Sequence, residues 1–269
     1  MTAAGIPRTV EITRYVTPLR EGSSLPALVE ADDGREYVAK FRGAGHGTKA
    51  LVAELVVGEI GRLLGLPVPE IVLAVLPKAI ARGESHDEIS DLLGWSIGLN
   101  IGIAFVPGAL AANLTRMPPE GPEWAADVVW FDDLAINPDR TPRNANLIVH
   151  DRRSWLIDHG SALYVHHAWT DPDAHARRPF ERIGEHVLLP HAGSIVEADA
   201  RLAARVTSEA FDAIIDAVPD DWLRDPRFDG PAAERDAYRR YLAARLEARP
   251  TWVGAAEQAR IEVQRGAVA

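Results

Sequence analysis

The hydrophobic patterning predicts an α+β chain, with a β-rich first part carrying one helix and a mainly helical second part. Three observations carry this reading. Short β-like runs separated by turn residues crowd the chain up to Phe105. Helical spacing dominates from Pro107 onward. The stretch INPDRTPRNANLIVHDRRSWLIDHG, Ile136–Gly160, then interrupts the helical part with two apolar β-like runs around a polar turn. The boundary is expected near Phe105 to Ala111, dividing the chain into two lobes, residues 1–106 and 107–269.

Thr9–Thr17 alternates enough to be a strand, and REGSS, Arg20–Ser24, reads as a turn. LPALVEA and EYVAKF flank Asp32-Asp33-Gly34. An Asp-Gly pair between β-rich runs signals a hairpin. GAGHG, Gly43–Gly47, reads as a flexible connector in preference to a phosphate cradle. A helix is expected over Lys49–Leu64, capped by Thr48, because Leu51, Leu55, Val56, Ile60, Leu63 and Leu64 follow helical spacing. Gly65 suits its C-cap and Pro67 stops it. EIVLAVL is a further strand, Arg82–Leu93 shows no clear pattern, and WSIGLNIGIAF is one strand or two short ones. Pro107 opens an Ala-rich helical stretch, followed by a helix over Trp124–Ile136 with Asp132-Asp133 on its polar face. Asp171–Gly184 reads as a charged loop. Helices are expected over Glu185–Leu189, Ile195–Val206, Ser208–Ala217 and Pro231–Arg249.

Composition excludes several function classes. A hydrophobic fraction of 47% over 269 residues supports a sizeable core. A net charge of −10 argues against general nucleic-acid binding, which needs a basic face. Without cysteine there is neither a disulfide framework nor a thiolate metal site, which fits the expected cytoplasmic location. The most apolar region, Leu51–Leu76, is interrupted by Glu54, Glu59, Arg62 and Glu70, so no membrane span is expected. His150, His159, His166 and His167 lack a helical H-x-x-x-H spacing, and no G-x-S-x-G elbow occurs.

The chemistry concentrates around the Ile136–Gly160 stretch. Pairing of its two apolar runs brings the loop holding Asp139 and Asn144 to the loop holding Asp158. Hard oxygen groups of this kind suit magnesium with phosphate, and a carboxylate suits the orientation of an attacking hydroxyl. Lys40 ends the strand EYVAKF, and Glu54 lies on the following helix as a partner for a buried ammonium. The small residues Gly22, Ser23 and Ser24 would let backbone N–H groups approach phosphate. Taken singly, each residue has a plainer reading. Asp139 and Asn144 cap turns, Lys40 is a solvated strand lysine, and Glu54 and Glu59 are surface residues of a helix.

In their order along the chain these motifs resemble the protein-kinase-like superfamily, and most closely a short group of HipA-like kinase domains. The motifs are YVAKF with Lys40, AELVVGEIGRLLGLPVPE with Glu54, NPDRTPRNANLIV with Asp139 and Asn144, and LIDHG with Asp158. The resemblance covers most of residues 10 to 220. It implies a two-lobed kinase fold in which Lys40, braced by Glu54, holds the α- and β-phosphates of ATP. It also implies that Asp139 orients or deprotonates the acceptor hydroxyl, and that Asn144 and Asp158 bind Mg2+. Gly22, Ser23 and Ser24 would form the phosphate loop, and Ala104 and Phe105 would lie in the nucleotide hinge at Ile103–Val106. The implied reaction is γ-phosphoryl transfer to a hydroxyl, first of all a protein Ser/Thr. A small-molecule or lipid-headgroup kinase and a nucleotide-binding pseudokinase are the alternatives. The chain departs from ordinary protein kinases at Asn137-Pro138, where they carry His-Arg, and at Asp-His-Gly, where they carry Asp-Phe-Gly.

Overall fold

The computed structural model describes residues 7–19, 25–81, 87–114 and 117–266. Strands β1 (Thr9–Pro18), β2 (Ala27–Ala31), β3 (Glu36–Lys40), β4 (Ile71–Leu76) and β5 (Gly98–Ala104) close into a barrel in the order β1-β2-β3-β5-β4. β1 closes it by running parallel to β4, while the other pairs are antiparallel. Alternate residues turn inward, so Val10, Ile12, Val29, Tyr37, Ala39, Val72 and Ala74 build a first core.

Helix α1 (Gly47–Leu63) starts earlier than its pattern suggests, and His46, not Thr48, stands at its cap position without a side-chain bond. Its end is a Schellman turn. Gly65 adopts φ +81°, its N–H reaches the carbonyl of Arg62, and the N–H of Leu66 reaches that of Gly61. Every residue from Leu51 to Gly61 is buried, because barrel and helices enclose α1 from both sides. The first part holds more than one helix. A short α2 (Lys78–Ala81) precedes the stretch that lacked a pattern, and α3 (Asp87–Trp95) occupies its later part. α3 buries only Leu92 and Leu93, too narrow a stripe to announce itself.

Among the described residues no helix starts at Pro107. Gly108 at φ +74° turns the chain, and Leu110–Ala111 form a short edge strand, β6, which pairs with the hairpin that follows. Helix α4 begins at Pro122, a first-turn proline, and runs to Ala135. Strands β7 (Leu147–His150) and β8 (Arg153–Leu156) form the expected hairpin. Both turn residues, Asp151 and Arg152, have positive φ, as a two-residue hairpin turn requires.

Beyond the hairpin several expectations are corrected. The charged loop contains α5 (Pro172–Arg177), capped by the Asp171 carboxylate on the N–H of Ala174. Glu185–Leu189 is no helix: the N–H of Val187 is taken by the carbonyl of Arg140, and only 3-10 turns flank it. α6 (Ile195–Leu202) tightens into a 3-10 turn at Ala203–Arg205 instead of reaching Val206. After α7 (Ser208–Asp216) and α8 (Pro231–Glu247), a further helix, α9 (Arg249–Gly266), was not expected. Pro250 sits in the first turn of α9, where its missing N–H has no helical partner to lose.

The second core joins α1, α4 and these helices. At its centre Trp252 packs against Trp130 with ring centroids 5.5 Å apart, and its Nε1 donates to the carbonyl of Arg245 at 2.8 Å. Trp252→Ala is expected to cost about 3–5 kcal/mol through lost burial and the cavity left behind. Urea unfolding of the variant beside the parent checks this.

Candidate functional site

Lys40 ends β3 with its side chain turned into the space between barrel and helices. It pairs with Glu54 of α1 and, at 2.7 Å, with Asp158. Glu54 Oε1 also accepts the N–H of Gly160 at 2.8 Å. A Cβ at Gly160 would stand 3.1 Å from that oxygen and press on the carboxylate. Burial alone would lower the Lys40 ammonium, but Glu54 and Asp158 outweigh it and keep the group charged. Burial pushes Asp158 up, but Lys40, with Glu54 and His159, brings it down to about 2. Its backbone has φ +57°, a left-handed conformation held by this packing.

Asp139 lies in the loop after α4. The amide of Asn144 donates to Asp139 Oδ2 at 3.0 Å, that of Asn146 at 3.3 Å, and the Ser161 hydroxyl approaches the same oxygen at 3.5 Å. A buried network beneath fixes the loop. Asp132 takes hydrogen bonds from Asn137 at 2.8 Å and Arg140 Nε at 2.5 Å, and its Oδ2 lies 2.9 Å from His186 Nε2. Arg140 in turn donates to the carbonyl of Asn146 at 2.5 Å, which ties the two ends of the loop together. Asp132-Asp133 therefore do not cover a polar helix face. Both are fully buried, and Asp133 pairs with Arg245 at 3.0 Å.

Lys40, Glu54, Asp139, Asn144, Asp158, Gly160 and Ser161 line one cavity of about 80 Å³. Ala44, His46 and Gly47 line it too, so GAGHG is part of the cavity wall as well as a connector. Asn146, Arg140 and Ser161 escaped the sequence reading, and the glycine loop reads first as a connector. The only signals were a second Asn two residues past Asn144 and the glycines themselves. Glu59 is buried and pairs with Arg62 at 3.2 Å, away from Lys40. Ala104 and Phe105 are not brought to the Lys40 cavity; they line a different one beside Arg35 and Glu70. Gly22, Ser23 and Ser24 lie outside the described residues.

Asn144 and Asp158 offer hard oxygen atoms to the cavity. With its amide nitrogen donated to Asp139, Asn144 keeps its oxygen free for a cation. Among the described residues no group of three or more His, Cys, Asp or Glu forms a metal cage. Magnesium suits such a sparse donor set, because it keeps waters and phosphate oxygens beside one or two protein ligands.

A second anchor stands at the start of α1. Lys49 pairs with Asp225 at 2.8 Å and also donates to the carbonyl of His166, in the loop after Asp158. The His166 ring is buried, with Nδ1 3.0 Å from the Tyr238 hydroxyl.

A family model described as HipA-like kinase matches residues 10–245. No curated protein matches the chain. Among solved structures, the proinflammatory kinase CtkA of Helicobacter pylori is 14% identical, with a TM-score of 0.56, over 96% of this chain and 99% of that one. A Golgi casein kinase with Mn and ADP bound is 12% identical, with a TM-score of 0.44, over 91% and 74%. The likeness to CtkA is one of fold, and it makes this α+β fold protein-kinase-like.

Burial lowers the His166 imidazole well below its ordinary 6.5, so the unfolded chain takes up a proton there that the folded chain refuses. The stability this group contributes is present above pH 6.5 and is lost as pH falls below it. His166→Phe is expected to flatten the acid side of the stability profile, measured by urea unfolding across pH.

Proposed function

The chain belongs to the HipA-like kinase family, and we propose that it transfers the γ-phosphoryl group of ATP to a protein serine or threonine hydroxyl, with magnesium held by Asn144 and Asp158. The observation that carries this reading is the convergence of Lys40, Asp139, Asn144 and Asp158 on one cavity. Bound there, magnesium would offset the charge of the β- and γ-phosphates. Lys40 holds the α- and β-phosphates, and Glu54 keeps its ammonium aimed into the cavity. Asp139 orients the acceptor hydroxyl and receives its proton as the bond to phosphorus forms.

Residues 1–106 and 107–269 act in this reading as the two lobes of a cleft. Ala104 and Phe105 belong to their connection, and Gly22, Ser23 and Ser24 complete the phosphate site. A protein acceptor is supported by a second cavity of about 430 Å³, lined by Pro138, Tyr164, His175, Arg178, Phe180 and Arg182. Pro138 precedes Asp139 in the chain, so one wall of that cavity is the loop that carries the carboxylate. No helix of the described residues is long and apolar enough to cross a membrane.

Asp139→Asn is expected to keep ATP affinity within a few-fold while transfer falls by a factor on the order of 10²–10⁴, because the carboxylate acts in the transition state. Calorimetry of ATP binding beside a labelled-phosphate assay tests this, and undiminished transfer would overturn the mechanism. Lys40→Met and Glu54→Gln are expected to be non-additive. A double-mutant cycle on turnover should give a coupling of roughly 0.5–3 kcal/mol, as for residues of one network.

A further inference from the structure

Asn146 follows Asn144 by two residues and is buried, 8% exposed. Its Nδ2 has three oxygens in reach: Asp139 Oδ2 and the carbonyl of Asp139, both at 3.3 Å, and the carbonyl of Asp158 at 3.5 Å. All three are acceptors, so the amide nitrogen with its two hydrogens is the atom that faces them. The carbonyl of Asn146 is occupied as well, by the Arg140 guanidinium at 2.5 Å and by the N–H of Ile157 at 3.1 Å. One residue thus holds the loop of Asp139 and the segment Ile157-Asp158 together. Its φ of +48° is left-handed, a conformation that asparagine adopts more readily than most residues. The Asp139 carboxylate is held unevenly. Oδ2 takes the amides of Asn144 and Asn146 and the Ser161 contact, while no hydrogen bond reaches Oδ1 among the described residues.

We infer that Asn146 is a positioning residue for the transfer step: it holds Asp139 by Oδ2, so that Oδ1 is the oxygen offered to the acceptor hydroxyl. This rests on the phosphotransfer reading above and goes beyond it by assigning the two carboxylate oxygens and the residue that sets them apart. In the step, the acceptor oxygen forms a bond to the γ-phosphorus and its proton passes to Oδ1. The bond from that phosphorus to the β,γ-bridging oxygen breaks, and its electron pair leaves with ADP. Asn146 does not line the Lys40 cavity, so it acts through Asp139 and not on the nucleotide. Asn144 grips the same oxygen, but it is exposed and commits its own oxygen to magnesium in that reading. The buried amide therefore sets the direction of the carboxylate. It also ties that direction to the backbone of Asp158, so the proton acceptor and the metal ligand keep one spacing. A catalytic group displaced by as little as about 1 Å can lose on the order of 10²-fold in rate. Loss of Asn146 falls on the rate of transfer, because ATP is held by Lys40, Asn144 and Asp158.

The test follows ADP release by the purified full chain with ATP, magnesium and dephosphorylated casein as the acceptor probe, beside calorimetry of ATP binding. Asn146→Asp keeps the shape and the backbone conformation but loses the donor, and Asn146→Gly keeps the backbone conformation without the side chain. Each is expected to bind ATP within a few-fold of the parent while kcat falls about 10- to 100-fold. In an Asp139→Asn chain, adding Asn146→Gly should lower turnover no further, because the two residues act as one unit. Parental kcat in a folded Asn146→Gly chain, or a loss that adds in full to that of Asp139→Asn, overturns the inference and leaves the phosphotransfer reading standing. ATP affinity that falls as far as kcat also overturns it, since Asn146 then shapes the whole site and not Asp139 alone. If thermal unfolding shows both variants unfolded, the residue is structural and the inference falls. If the folded parent releases no ADP, or Asp139→Asn keeps parental turnover, the phosphotransfer reading itself fails and takes this inference with it.

Discussion

An ammonium withdrawn from water must be met by negative charge, and the structure meets Lys40 from two directions. Glu54 comes from the helix that follows the lysine's own strand, and Asp158 comes from beyond the hairpin. One oxygen of Glu54 also holds the N–H of Gly160, so the carboxylate sets the register between α1 and the loop that carries Asp158. The enclosure of α1 follows from this. It must face the barrel to meet Lys40 and the helical part to meet Gly160, which leaves no side of its middle for solvent.

A second pair of carboxylates does for the loop that carries Asp139 what Glu54 does for Lys40. Asp132 and Asp133 are neighbours on α4, so their side chains diverge by roughly a third of a helical turn. Asp132 binds Arg140 and His186 under the loop, and Asp133 binds Arg245 deeper in the helical core. Burial pushes both up. Arg140 and His186 bring Asp132 well below the usual carboxylate range, whereas Asp133 stays raised at about 7 despite Arg245. Buried ion pairs are a weak source of stability but a strong constraint on geometry. Here the constraint falls on Asn137, Arg140 and Asn146, which bracket Asp139 and Asn144.

The sequence is legible where local chemistry decides. The strands show period two and Asp32-Asp33-Gly34 shows a turn, so the β2–β3 hairpin needs no tertiary information. The Leu and Val spacing of α1 and its Gly65 end are equally local. Asp139, Asn144 and Asp158 stand out only as an ordered set with Lys40 and Glu54, since each has an ordinary use as a capping or surface residue. What stays hidden depends on distant partners. Two adjacent aspartates on a helix read as solvated until Arg140 and Arg245 are seen to reach them. Ser161 has nothing distinctive in sequence, and its place comes from a loop folded back on Asp139.

Lys40 and Asp158 are 118 positions apart, and Glu54 and Gly160 are 106 apart. Contacts of such long range form only after the entropy of closing a large loop has been met. Lys40 and Glu54, only 14 apart, can meet first. The order of assembly therefore runs from a local pair, in which charge is already balanced, to a completed site. The contacts of Lys40 with Asp158 and of Glu54 with Gly160 come into being only when the hairpin and the loop behind it have docked.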